Sequence, residues 1–429
     1  MIRCDTAIVG GGFSGCAVAA QLARITGPFS LVLFEPGPLG RGAAYGTRHR
    51  EHLLNTRAAA MSIFADDRDH FVRWLGGRAA PSDFVSRQSY GDYVADVARL
   101  AFDRDGFDVV AAKVVSMHRS AGGFVLETED GKKYESRTAV IATGNALPGD
   151  AALPRGVPAH PRYIADPWRF DYRSVAGDVL IVGSGLTALD VLGALESSGH
   201  SGAVYVVSRH AQFPQTHAEI TEAYGVVPAL DASNARTLLR SLRSHLREAA
   251  ARGYDWRAVV DALRPESESL WRRLSTEERL RFDRHLRRRW ERHRHRAPGA
   301  VDAVRQRYAD KGRLFPYSGR ITEYAAGEVT VALRDGAEVT LRPDWIVNCT
   351  GPAPSRTIAP PPLGLDLRVH ADLHAVDDQG RALPGLWFVG PPLRAVRFEA
   401  TAVPELRLMA QAVARGIVKS FEEELTQVV

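Results

Sequence analysis

Residues 6–35 read TAIVGGGFSGCAVAAQLARITGPFSLVLFE. Ala7-Ile8-Val9 is a short apolar run of the kind that forms a buried parallel strand. Gly10, Gly12 and Gly15 follow as GxGxxG, Ala17 to Leu22 continue as a helix of small residues, and Leu31 to Phe34 make a second strand ending at Glu35. Each part has a use in binding a dinucleotide. Gly10 allows the tight turn, Gly12 lets a pyrophosphate approach the backbone, and Gly15 lets helix and strand pack closely. The helix N-terminus offers free N–H groups and the positive end of its dipole to phosphate. Glu35 stands where a carboxylate accepts hydrogen bonds from ribose hydroxyls. Glycine-rich turns are common; the order strand, glycines, helix, strand, acid selects the dinucleotide reading over a purely structural turn.

The pattern returns later in the chain. Asp178 to Val182 reads as a strand, Gly183-Ser184-Gly185-Leu186-Thr187-Ala188 as a turn into a helix, and Ala203 to Val207 as the second strand. Ala188 replaces the third glycine, as a small residue can. Arg209 follows Gly183 by 26 residues, as Glu35 follows Gly10 by 25. A guanidinium in place of a carboxylate suits a 2′-phosphate. Ser208-Arg209-His210 therefore predicts NADPH over NADH, against the alternative of a solvated surface arginine. Two βαβ units predict an α/β protein with two Rossmann-like dinucleotide-binding domains.

The remaining segments are placed around these two. Residues 36–47 read as a glycine-rich loop, not an element, able to fold over the first dinucleotide. A helix is expected from Ser89 to about Phe102. Val109-Val110, Lys113 to Met117, Phe124 to Thr128 and Lys132 to Ser136 read as a β-meander. The run closes with Ala139 to Gly144, a buried strand ending in Ala-Thr-Gly, where small residues let the chain pass close to a cofactor. Pro148 to Pro167 reads as a linker. Asn234 to Arg296 reads as a helical insertion, with Leu238, Leu239, Leu242 and Leu246, then Trp271, Leu274, Phe282, Leu286 and Trp290, at helical spacing. Strands are expected at Glu328 to Leu333, Glu338 to Leu341 and Trp345 to Gly351, the last ending in Thr-Gly, and Leu386 to Pro391 reads as a final strand and turn. A last helix starts near Thr401 to Glu405, with Pro404 in its first turn, and runs to about Lys419. The domains read as 1–170, the first part of an FAD-binding domain; 171–345, an NAD(P)H-binding domain with an insertion at 230–300; and 346–429, the C-terminal part of the first domain.

Hydrophobic residues are 45% and charged residues 24% of the chain, an ordinary balance for a water-soluble protein. No apolar run is long enough to span a bilayer, and the N-terminus enters a strand without a signal sequence. A cytoplasmic protein with no membrane partner is expected. The net charge of +5 is mildly basic, and Arg284 to Arg296 is the densest basic stretch. A solvated helix face is its plainest reading. Nucleic-acid binding needs more than one basic helix, and no nucleic-acid partner is expected. A third reading has the inner face supply cations to an anionic substrate or a cofactor phosphate.

Cys4, Cys16 and Cys349 are the three cysteines. They show neither CxxC nor metal spacing, and small buried side chains are expected. That removes a dithiol relay, an Fe–S relay and a metal site from the expectations. Two dinucleotides imply hydride transfer from nicotinamide to flavin, and oxygen remains as the acceptor. A flavin C4a-hydroperoxide then hydroxylates a small substrate, with the protein positioning that substrate and excluding water. No catalytic acid–base pair stands out. A non-oxygenating oxidase or reductase on the same fold is the alternative. The last helix has two readings: an N-terminus aimed at the flavin pyrimidine, or an ordinary amphipathic closing helix.

The fingerprint Gly10-Gly12-Gly15, Gly40-Arg41-Gly42-Ala43-Ala44-Tyr45-Gly46-Thr47, His52-Leu53-Leu54-Asn55 with Met61, and Gly183 to Asp190 resemble one group of two-dinucleotide flavoproteins. So do Trp290 to Arg296, Asn348-Cys349-Thr350-Gly351-Pro352 and Glu399 to Arg407. The group includes FAD-dependent urate hydroxylases and the N-hydroxylases that make nitrosuccinate from aspartate. The chain resembles ornithine and lysine N-hydroxylases and Baeyer–Villiger enzymes more distantly. It departs from the pattern at Ala188, and at Gly390-Pro391, where many flavoproteins carry Gly-Asp. The resemblance, with the residues above, implies FAD at Gly10, Gly12, Gly15, Glu35, Arg41, Asn55, Met61, Val115, Thr143, Gly144, Gly390 and Thr401. It implies NADPH at Gly183, Ser184, Gly185, Leu186, Thr187, Ser208, Arg209, Thr350 and Gly351. Arg288, Arg292, His293 and His295 are the candidates for an anionic substrate, such as an acidic amino acid or a urate-like ring. Small-molecule substrate and O2 are the expected partners.

Overall fold

Leu31–Phe34 and Val179–Val182 are buried at every position, as strands covered on both faces must be. Each is an interior strand of its own sheet. The computed structural model describes the chain except residues 26, 151–152, 353–367, 370–372, 377–378, 380 and 429. It divides into two units, Met1–Arg50 with Thr56–Ala146 and Pro354–Val429, and Glu51–Asn55 with Leu147–Ala353.

In the first unit, Phe107–Val110, Leu31–Phe34, Ile2–Val9, Lys133–Ile141 and Ala382–Phe388 lie side by side, all parallel. The helix Phe13–Ala23 is buried from Phe13 to Leu22. Its small residues let it pack between Arg87–Phe102 and Val403–Val428. The last two strands read in the 108–142 run, Lys132 to Ser136 and the closing Ala139 segment, are one continuous strand, Lys133–Ile141. Lys133–Ile141 pairs with Gly123–Thr128 through its first half and with Ala382–Phe388 through its second. Val109-Val110 belongs to the parallel sheet, not the meander. The glycine-rich loop contains one helical turn, Gly42–Tyr45, where Tyr45 packs edge-on against Tyr90 at 4.8 Å. The last helix outruns its expected end because Phe421 is also packed, 6.5 Å from Phe29 and under the Arg137 guanidinium.

In the second unit, Leu314–Ala325, Val204–Ser208, Val179–Val182, Trp345–Asn348 and Tyr163–Ile164 are parallel neighbours. The hairpin Glu328–Leu333 and Glu338–Leu341 extends the Leu314 edge. Leu314–Ala325 has no buried residue. It therefore lacks the apolar signature that reveals a strand, and its register breaks between Ile321 and Glu323. The chain enters this unit at Leu147, ahead of the expected boundary at 170, because Tyr163–Ile164 joins its sheet. Five helices between Ala235 and Arg294 form the insertion. Asn234 opens it with a capping box, its Oδ1 accepting from Thr237 N–H at 2.9 Å. Trp271, Leu274 and Phe282 are buried there, whereas Leu238, Leu239, Leu242 and Leu246 are half-buried. No helix among the described residues is long and apolar enough to cross a membrane.

Candidate functional site

Ligands of open parallel sheets bind outside the C-terminal strand ends. In the first unit those ends are stitched into one rim. Gly10 N–H donates to Phe34 O at 2.9 Å, Glu35 N–H to Val110 O at 3.0 Å, Ala142 N–H to Val9 O at 2.9 Å and Val389 N–H to Ile141 O at 3.0 Å. Gly10 has φ +106°, and a Cβ there would stand 2.5 Å from Ala142 O. A Cβ on Gly15 would strike Gly10 O, so the helix abuts the turn as the fingerprint requires. Gly12, the residue read for phosphate approach, meets only Gly42 Cα at 3.6 Å.

Glu35 braces this rim. Its Oε2 accepts from Gly11 N–H at 2.8 Å and its Oε1 from Gly37 N–H at 2.9 Å. A Cβ on Gly11 would meet the Glu35 side chain at 2.6 Å, a requirement that the fingerprint spacing does not reveal. Thr143, Gly144 and Gly390 follow the strand ends; Thr401, exposed, precedes the helix Val403–Val428. Arg41 lies along the helix Arg87–Phe102, donating to Gln88 O at 2.9 Å and pairing with Asp92. Gly91 makes room for it, since a Cβ there would meet Arg41 Nη1 at 2.7 Å. Met61 is buried and its carbonyl accepts from Tyr90 Oη at 2.8 Å. Val115 sits at a register shift between Val114 and Ser116. Asn55 is grouped with the second unit, its carbonyl 3.0 Å from His217 Nε2. In the same short segment, the buried His52 places Nε2 3.0 Å from Asp190 O.

The second unit repeats the rim. Gly183 has φ +112°, and a Cβ on it would strike Cys349 O, as one on Gly10 would strike Ala142 O. Gly183 N–H donates to Val207 O at 2.9 Å and Cys349 N–H to Val182 O at 2.8 Å. Leu186 and Thr187 open the helix Leu186–Ser197, whose N-cap Gly185 provides no side-chain cap. Thr350 N–H and Oγ1 both bond Asn348 Oδ1, at 3.1 and 2.7 Å, fixing the turn before Gly351. Ser184 Oγ, nearly buried, is 2.9 Å from Ser208 Oγ and donates to Gln212 O at 2.8 Å.

Cations gather at the end of Val204–Ser208. Arg209 is exposed, and Arg334, on the neighbouring hairpin, donates from Nη1 to His210 Nδ1 at 2.9 Å. That bond requires a neutral imidazole. Partial burial, then the guanidiniums of Arg334, Arg209, Arg288 and Arg289, hold the His210 pKa below its ordinary value. Arg334 carries no mark in the sequence, because a β-hairpin far along the chain brings it here.

The basic run is not one helix. Thr276–His285 ends before Leu286, and Arg287–Arg294 begins anew. Arg288 and Arg292, four residues apart on one face, lie along the segment after Val204–Ser208. Arg288 Nη2 donates to Ser184 Oγ at 2.9 Å and Gln212 O at 3.3 Å; Arg292 Nε donates to Phe213 O at 3.0 Å. His293 Nδ1 is 2.7 Å from Arg289 O, and its ring meets Trp256 edge-on at 5.1 Å. His295 is half-buried and its N–H donates to Glu291 O at 2.8 Å.

All three thiols are free and buried. Cys16, on the first fingerprint helix, donates from Sγ to Gly11 O at 3.2 Å, and burial pushes its pKa up to about 12. Burial does the same to Cys4, also to about 12, and pushes Cys349 upward.

Residues 7–146 match the model of an FAD-NAD(P)-binding family. Among solved structures the chain is similar to an ornithine hydroxylase from Pseudomonas aeruginosa, with 16% identity over 97% of this chain and 99% of that one and a TM-score of 0.68. It is similar to the bacillithiol disulfide reductase of Staphylococcus aureus, with 12% identity over 98% and 99% and a TM-score of 0.61. It is also similar to a flavin-containing monooxygenase from Stenotrophomonas maltophilia, with 16% identity over 98% and 99% and a TM-score of 0.54. At such identities the likeness is one of fold, and the fold is the α/β, two-dinucleotide architecture read from the repeat. FAD and NAD(P) are the cofactors of this chain.

Proposed function

We propose that the chain is an FAD-dependent, NADPH-using monooxygenase acting on a small anionic or nitrogen-containing substrate. FAD belongs to the rim at Gly10, Gly12, Gly15 and Glu35, and NADPH to the rim at Gly183, Gly185, Ser208 and Arg209. The observation that carries the reading is the pairing of two such rims with thiols that are all buried and protonated. Bound flavin supplies hydride acceptance from the nicotinamide and electron delivery to oxygen. The protein's part is to hold both dinucleotides by turn geometry and charge. A thiol relay, the route open to a disulfide reductase, would need a thiolate within reach of solvent. Cys16, beside the first fingerprint, offers a neutral thiol already bonded to Gly11 O.

The test is stoichiometry. Each substrate hydroxylated should consume one NADPH and one O2, with one oxygen atom entering product and the other leaving as water. Labelled oxygen should appear in the product of a panel of acidic amino acids, basic amino acids and urate-like rings. Hydrogen peroxide formed in step with NADPH, with no labelled product from any of them, would make the chain an oxidase.

The substrate reading draws on the basic helix. Arg287 pairs with Asp283 and Arg296 with Asp261, and Arg288 and Arg292 face the neighbouring loop. Contacts inside its own unit weigh against a nucleic-acid face. Arg292→Ala and His295→Ala are expected to raise the substrate KM about tenfold or more, the scale of one charge-assisted hydrogen bond. Flavin reduction at saturating NADPH should stay as it was. Unchanged substrate kinetics in both variants would remove these two residues from the substrate site.

A further inference from the structure

Among the described residues, no carboxylate forms an ion pair with Arg288. Its side chain is half-buried, and its hydrogen-bond partners, Ser184 Oγ and Gln212 O, are both neutral. Burial, with Arg209 and Arg292 nearby, lowers its pKa from the ordinary arginine value, against the opposing charge of Glu291. A desolvated guanidinium facing a hydroxyl and a carbonyl leaves part of its charge uncompensated.

Its position says which anion it would meet. Nη1 lies 3.8 Å from the place a Cβ would occupy on Gly185. Gly185 is the second glycine of the fingerprint, the one whose bare backbone admits a pyrophosphate. The helix that follows has twelve residues and an N-cap with no side-chain cap, so its first N–H groups face the same spot. A half-buried cation, an uncapped helix N-terminus and an open Cβ position thus converge on one small volume.

We propose that Arg288 is a pyrophosphate ligand: the helical insertion reaches over the fingerprint loop and clamps the NADP(H) diphosphate from the side opposite the helix N-terminus. This rests on the assignment of NADP(H) to the second unit and goes beyond it. A dinucleotide oxygen would take the donor now given to Ser184 and Gln212 and bring a negative charge to the guanidinium. Arg209 and Arg334, at the strand end, remain for the 2′-phosphate.

The two roles separate by ligand. NADP+ and NAD+ share the pyrophosphate, whereas 2′-AMP carries a 2′-phosphate and no pyrophosphate. Equilibrium titration of the FAD-loaded protein should show Arg288→Gln weakening NADP+ and NAD+ alike, each by about ten- to a hundredfold. Binding of 2′-AMP should change less than about twofold. Arg288→Lys should recover part of the loss, because a charge returns without the planar fork. Arg209→Ala should show the opposite pattern, weakening NADP+ and 2′-AMP but sparing NAD+. Unchanged NADP+ and NAD+ affinities in Arg288→Gln would overturn the clamp. So would loss of NADP+ and 2′-AMP with NAD+ intact, which would move Arg288 to the 2′-phosphate. An unmutated protein that binds neither NADP+ nor NAD+ would sink the cofactor assignment as well. A melting temperature equal to that of the unmutated protein marks the Arg288→Gln effect as one on binding; a loss traced wholly to unfolding, with Arg288→Lys normal in stability and affinity alike, would overturn the pyrophosphate role.

Discussion

Gly10→Ala is expected to leave the protein without flavin, and Gly183→Ala to keep the flavin but lose its reduction by NADPH. Both glycines have φ above +100°, where an L-residue is strained. Both would push a Cβ into the carbonyl that ends the neighbouring strand, Ala142 O for one and Cys349 O for the other. Neither carbonyl has room to yield, because Ala142 N–H and Cys349 N–H are bonded back into their ladders at 2.9 and 2.8 Å. Backbone strain alone costs about 1–3 kcal/mol, roughly a ten- to hundredfold loss of affinity. Displacing the strand end adds to it. Flavin absorbance of the purified variants and titration with FAD measure the first effect. Anaerobic mixing with NADPH measures the second. Gly10→Ala that retains FAD at unchanged affinity would remove the first rim as the flavin site.

The second large effect is expected at Arg209. Arg209→Ala should raise the Kd for NADPH by about ten- to a hundredfold and leave NADH within about twofold, since charge-assisted bonds to one phosphate are at stake. Acidity should modulate the same preference through His210. In the free protein its imidazole is neutral, accepting from Arg334 and held below its ordinary pKa by burial and four guanidiniums. A phosphate dianion among these cations raises that pKa. A group protonated more readily in the complex than in the free protein makes binding take up protons, so affinity rises as pH falls. The NADPH Kd should therefore fall between pH 8 and about 6.5, above the second phosphate pKa of about 6, while the NADH Kd stays flat. His210→Asn should abolish the slope. A flat NADPH profile in the unmutated protein, or a slope that survives His210→Asn, would take His210 out of the phosphate site.

The sequence discloses the parts whose physics is local. A tight turn beside a strand end demands glycine in place, so Gly10, Gly15 and Gly183 are legible from spacing alone, and burial on both faces makes Leu31–Phe34 and Val179–Val182 legible as apolar runs. Partnerships across the chain are not legible. Arg334 reaches His210 only because Leu314–Ala325 pairs with Val204–Ser208 and then turns into a hairpin. That long strand hides because none of its residues is buried. Asn55, near the first fingerprint in sequence, falls in the second unit because Leu53 packs into that unit's core and His52 meets Asp190. The Arg284 to Arg296 run looks like one solvated helix by composition. Its break at Leu286 and the turning of Arg288 and Arg292 inward depend on the loop they meet.

The strand Lys133–Ile141 needs Ala382–Phe388 along its second half, and all of the second unit except the short segment Glu51–Asn55 is synthesised between them. On the ribosome, everything required for the second sheet emerges before the first sheet can receive that parallel neighbour. At about 5–20 residues per second the wait lasts roughly ten to fifty seconds. During it the first fingerprint exists beside an open strand edge, a hazard for pairing with other nascent chains. The order of maturation is thus opposite to the order of translation: the unit whose sheet begins second closes first, and the rim proposed for flavin is completed only when Val389 has appeared.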